Sequence, residues 1–157
     1  MYEPVDVGGA VKTCLLVLVL CVPVASASAQ RSTGGVRPLA SVRQLHEIMI
    51  TPASDAVFRA TADTPASEKG WADTRNQAFV LAEGGNLLML GSRARDNAAW
   101  MKMSRALVDA AATAASAAEK KDADALAGAA DIITAACEAC HQPYRDRGRQ
   151  MGIGNGK

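Results

Sequence analysis

Four stretches of the chain repeat apolar residues at helical spacing, and none alternates them convincingly at strand spacing. The first follows Ser41: Val42, Leu45, Met49, Ala53, Ala56 and Ala60 recur every three or four positions and predict a helix with one apolar stripe. Ser41 can cap it, with Gln44 completing an S-x-x-Q box in which the two residues satisfy each other's backbone N–H groups. Pro52 falls inside the pattern and is expected to kink or divide this helix, because proline lacks an N–H and crowds the preceding turn. Thr64-Pro65 reads as the cap and first-position proline of a second helix, with Trp71, Ala78, Leu81 and Leu88 as its stripe and an end near Leu90. Gly84 and Gly85 inside it each cost about 1 kcal/mol relative to Ala. They imply either close approach of a neighbouring helix or bound group, or a local distortion.

Asp96 or Asn97 opens a third helix, with Trp100, Met103, Leu107, Ala110 and Ala114 on one side. Lys120-Lys121 closes it, cations being favoured near a helix C-terminus. Asp122 can cap a fourth helix whose Leu126, Ile133, Cys137, Cys140 and Tyr144 share a face. Pro143 is expected to end or bend it, leaving 148–157 as a loose polar tail. Four amphipathic helices with short connections predict an all-α protein, an up-down-up-down four-helix bundle over residues 41–147, preceded by an extended segment over 30–40. Met89, Met101 and Met103 read as core filling.

Composition agrees with one helical domain. The 157 residues are rich in Ala and include only two Trp, two Tyr and two Phe. A formal charge of +1 offers no basic footprint for nucleic acid, which is not expected as a partner.

Residues 1–29 differ from the rest. Cys14 to Val24 is an apolar run of about 11 residues, against the roughly 20 that a membrane-spanning helix needs. Lys12 precedes it and Ala25-Ser26-Ala27-Ser28-Ala29 follows, the pattern of a secretory signal peptide cut after Ala29 or, alternatively, Ala27. The mature chain is then exported and carries no membrane anchor. Glu3 and Asp6 weaken the leading positive charge, and a retained anchor is the competing reading. Leu20 is too bulky for the small residue that precedes a lipidated Cys, which argues against a lipoprotein anchored at Cys21.

Signal removal takes Cys14 and Cys21 and leaves Cys137 and Cys140. With His141 they form C-x-x-C-H, the signature for covalent haem attachment. On a helix, positions i and i+3 share a face, so both thiols reach one edge of the porphyrin while the next imidazole binds its iron. The expected cofactor is one haem c, bound by Cys137, Cys140 and His141. A redox-active C-x-x-C would sit in a strand–helix context, and no strand pattern surrounds this one. A zinc site wants about four ligands, and His46 lies far away in sequence.

A helical bundle with C-x-x-C-H on its last helix, followed by Tyr144-Arg145, resembles the class II c-type cytochromes, the cytochrome c′ family. The resemblance covers about residues 40 to 146. Leu81-Ala82-Glu83 with Asn86-Leu87-Leu88, Val42-Arg43-Gln44-Leu45, and Pro52-Ala53-Ser54-Asp55 are similar to segments of the family, the last two to its low-spin members. In those members a methionine of the first helix commonly supplies the sixth iron ligand; here that position is His46, a departure, and Met49 is the nearest methionine. The resemblance implies attachment of haem after export, in the periplasm.

In an up-down-up-down bundle the start of the first helix neighbours the end of the fourth, which places His46 on the side of a second axial ligand. Met49, about 4.5 Å deeper at about 1.5 Å per residue, is the alternative. Imidazole binds ferric iron more strongly than thioether does. Arg145 is expected near a haem propionate. Six-coordinate iron has no position for substrate, so the expected function is periplasmic electron transfer between redox partner proteins, not enzymatic catalysis. The alternative is a five-coordinate protein binding nitric oxide or carbon monoxide, as high-spin family members do. A peroxidase-like activity would need an open iron site with His46 as a free base. The residues leave open whether a homodimer forms through the first two helices.

Overall fold

Ser41 and Gln44 form the expected reciprocal cap: the Ser41 hydroxyl accepts from Gln44 N and the Gln44 side chain accepts from Ser41 N. The helix they start, α1 (Val42–Leu45), passes into a π-helical turn (His46–Ile50) and then into α2 (Thr51–Ala62). The chain is known as a computed structural model that describes the backbone of residues 37–96 and 98–150 and the side chains through Arg145, Asn97 apart. The proposed signal peptide and the last seven residues lie outside the described residues.

The helical run continues through Pro52, but its regular α geometry is interrupted by the π turn just before it. Pro52 occupies the opening turn of α2, where a missing N–H is tolerated, and the turn before it is widened instead. Further on, α3 (Glu68–Leu88), a short 3₁₀ turn (Gly91–Arg93), α4 (Ala99–Lys120) and α5 (Ala123–Gln150) complete the described chain. The described residues are mostly helical, form four main helical rods and contain no strand, as an all-α bundle requires. All of them fall in one unit, Thr33–Lys157. Within it α3 packs along α4, α4 along α5, and α2 against both α3 and α5.

Two boundaries differ from the sequence expectation. The second helix starts at Glu68 rather than Pro65, because the Ser67 hydroxyl accepts from Gly70 N and supplies the cap. Pro65 packs just outside, its Cβ 3.0 Å from where a Gly70 Cβ would stand. The fourth helix does not end at Pro143 but continues to Gln150. A proline removes one hydrogen bond of the ladder, and Tyr144 holds the turn in place. Its ring meets Trp100 edge-on at 4.8 Å and its hydroxyl donates to Asp96. Other caps agree with expectation: Asp96 accepts from Ala98 N and Trp100 N at the start of α4, and Asp122 accepts from Ala125 N at the start of α5.

The stripes close on one core. Leu45, Val57, Trp71, Leu81, Leu88, Trp100, Leu107, Leu126 and Ile133 are buried, each large aliphatic contributing about 1.5–3 kcal/mol by leaving water. Small residues set the helix spacing. A Cβ on Gly84 would lie 2.7 Å from Ile50 Cγ1, and one on Gly85 would lie 2.7 Å from Val108 Cγ2. The two glycines therefore admit the first rod on one side and α4 on the other, which resolves their meaning in favour of close helix packing. Gly85→Val is expected to destabilise the fold by about 1–3 kcal/mol through overpacking, read as a lower denaturant midpoint.

Buried Arg93 fixes the entrance to the first rod. Its guanidinium donates to Ala40 O at 3.0 Å and Leu87 O at 3.3 Å, tying the segment before α1 to the last turn of α3. Nothing in the sequence pattern distinguishes this arginine from its exposed neighbours.

Candidate functional site

Beyond Ile133 the inward face of α5 is no longer sealed. Ile133 is fully buried, whereas Ala136, Cys137, Cys140, His141 and Tyr144 are only half-buried. The opening consists of an inner cavity of about 90 Å³ and an outer cleft of about 450 Å³, both walled by His46, Thr51, Cys140 and His141. The outer volume lies within the range of about 300–1,000 Å³ usual for cofactor sites. Apolar Ile50, Leu88 and Leu107 line the inner end, while Arg95 and Arg145 stand at the outer one.

Two imidazoles from opposite ends of the sequence face each other across this opening. The ring centres of His46 and His141 are 6.0 Å apart, with their planes inclined at 43°. A metal held on opposite sides by two imidazoles separates their centres by about 6 Å, given metal–nitrogen bonds of about 2 Å and about 1 Å from nitrogen to ring centre. His46 Nδ1 lies 2.9 Å from Val42 O. A carbonyl only accepts, so Nδ1 is the donor here and Nε2 is the ring nitrogen left for a metal. His141 Nδ1 lies 3.5 Å from Arg145 Nη1, a long contact.

The thiols of Cys137 and Cys140 sit one helical turn apart on the same face, both free and half-buried. Burial, then the neighbouring Glu138 carboxylate, pushes the Cys137 thiol up; burial, then Cys137, does the same for Cys140. Catalytic dithiols require the opposite, a stabilised thiolate. The shifts run against thiolate formation at both positions.

No family model, curated protein or solved structure matches the chain.

The structure therefore brings together Cys137, Cys140, His141, Arg145 and His46, and leaves Met49 outside. Met49 Sδ lies 3.6 Å from the position of a Gly84 Cβ, so this side chain packs toward α3 rather than into the opening. Met103 does line the inner cavity, from the α4 side. Among the described residues no three His, Cys, Asp or Glu side chains converge as ligands of a single ion. A porphyrin brings four nitrogens of its own and asks only for two axial groups, which is the number the His46–His141 pair offers.

Sequence reasoning missed the support around these residues. Asp96, Trp100 and Tyr144 form one linked group beside the outer cleft, joined across 48 positions. The hydrogen bond from Tyr144, followed by that from Trp100 N, holds the Asp96 carboxyl below the usual carboxylate range. Folding thus favours the anion: the stabilisation is present above the ordinary pKa of Asp and is lost as pH falls through the lowered one. Tyr144→Phe should lose less thermal stability than the parent between about pH 5 and about pH 3, the range in which carboxylates titrate.

Proposed function

We propose that this protein is an exported electron carrier of the c-type cytochrome kind, with one haem c joined by thioether bonds to Cys137 and Cys140 and held axially by His141 and His46. The observation that carries the proposal is the opposed imidazole pair at 6.0 Å beside two thiols on one helical turn. The reach of His46, early in the first rod, to His141, late in α5, supports an up-down-up-down course, as do the short connections.

The haem, when bound, supplies a one-electron ferric/ferrous couple. The chain does the rest. Cys137 and Cys140 would hold the porphyrin edge, and the bond from His46 Nδ1 to Val42 O would leave Nε2 as the nitrogen available to the metal. Arg145 and Arg95, at the outer end of the cleft, are placed to meet the propionates. Two imidazole ligands leave no position for a substrate, and the ferric state is favoured more than with one imidazole and one thioether, so the potential is lower than in a His/Met site. The group would supply electron exchange with redox partner proteins of the periplasm, with the outer cleft as the open side of the site.

The test is the ferric spectrum of haem-loaded protein by absorption and electron paramagnetic resonance. A low-spin signal with reversible one-electron reduction is expected. A high-spin signal would overturn the electron-carrier reading in favour of a five-coordinate protein that binds nitric oxide or carbon monoxide.

A further inference from the structure

The π-helical turn His46–Ile50 begins on the proposed ligand itself: Thr51 N–H donates to His46 O, five residues back, instead of to the carbonyl four back. Such a turn is an α-helix that has stored one surplus residue, and it persists where something holds both sides in register. Both sides are held here. Downstream, Ala53, Val57 and Ala60 are buried, and Ile50 sits against Gly84 of α3. Upstream, Leu45 is buried and the His46 ring is tied back to Val42 O. Between them Ile48 is 70 % exposed, a large aliphatic side chain in water at the middle of the turn.

Each residue of an α-helix turns the chain by about 100°. Were the surplus residue wound into a regular helix, everything upstream would rotate by that angle relative to α2, carrying His46 off the axis to His141 and Leu45 out of the core. Pro52 favours the widened form, since it has no N–H to close the regular ladder just after the turn.

We infer that the π turn is a positioning element for the second axial ligand, with Ile48 as its stored residue: the turn sets the register in which His46 faces His141. The inference rests on the reading of His46 as that ligand. Its consequence runs against the usual effect of shortening a helix. Removing Ile48 converts the π turn to regular α-helix and leaves the spatial relation of His46, Thr51 and the core unchanged. Adding one residue exceeds what the turn stores and swings His46 away.

The experiment compares three haem-loaded proteins: the parent, a deletion of Ile48, and an insertion of one Ala between Ile48 and Met49. Absorption and electron paramagnetic resonance report the ligand set, far-ultraviolet circular dichroism reports the fold, and haem content reports attachment at Cys137 and Cys140. The expected result is a low-spin deletion protein, fully helical and with the parent's haem content, whose low-spin signal disappears on further replacement His46→Ala. The insertion protein, with the same haem content, is expected to be high-spin. A low-spin parent whose deletion protein is high-spin or unfolded overturns the inference alone, as does an insertion protein that remains low-spin through His46. A parent that is already high-spin removes the His46 reading, and this inference with it.

Discussion

Replacing Cys137 and Cys140 together with Ser is expected to abolish covalent haem, giving protein that is colourless after acid–acetone extraction while its helical content is retained. The two thiols lie at the margin of the core, half-buried on the inward face of α5, whereas Leu126, Ala129, Ala130 and Ile133 seal the helix upstream. Their replacement leaves those contacts intact. Either single replacement keeps one thioether and therefore colour, so the double variant should lose far more haem than either single one. The direction in which burial moves the two thiols sharpens the expectation. A redox dithiol would be marked by rapid alkylation at neutral pH, but the upward shifts of Cys137 and Cys140 predict slow alkylation in the haem-free chain, quickening only above the ordinary thiol range.

The second large effect is that of His46→Ala: ferric protein that passes completely from low-spin to high-spin with haem content unchanged. His46 is the group facing His141, its Nδ1 is committed to Val42 O, and Met49 packs toward Gly84 and cannot take its place without leaving α3. The vacated position should also admit small ligands. In the parent, carbon monoxide must displace an imidazole held in register, so its apparent affinity is reduced by the fraction of molecules in which that imidazole is off the iron. A closing preference of about 1.4 kcal/mol already corresponds to a tenfold difference. His46→Ala is therefore expected to bind carbon monoxide at least about tenfold more tightly. Retention of the low-spin spectrum in this variant would reject His46 as ligand, and Met103, on the wall of the inner cavity, would be the next residue to replace.

Much of this arrangement is legible in the sequence because it depends on spacing. Much of each stripe is buried where periodicity puts it, as at Leu45, Leu81, Leu107 and Leu126, while Val42, Met49, Met103 and Tyr144 are only half-buried. The Ser41/Gln44 box and the Asp122 cap need only neighbours within four residues. The paired thiols and His141 are contiguous, so the motif declares them. His46 is legible only through the topology, which brings the start of the first rod to the end of α5.

What escaped depends on contacts between distant residues or on competition between signals. Thr64-Pro65 and Ser67 both offer a helix start, and spacing alone does not reveal that the Ser67 hydroxyl reaches Gly70 N. Pro143 carries a local signal to stop, outweighed by the anchoring of Tyr144 on Trp100 and Asp96, which lie far back in the chain. The π turn leaves no mark except an isoleucine in a polar position four residues before Pro52. Arg93 is indistinguishable from a surface cation until its carbonyl partners, 53 and 6 positions away, are known.

Intact-mass analysis of the protein matured in a host with haem-ligation machinery tests the central claim most directly. A mature chain heavier by one haem is expected, with the increment confined to the peptide holding Cys137 and Cys140. A chain of unmodified mass, produced beside a haem-loaded control cytochrome in the same cells, would contradict it.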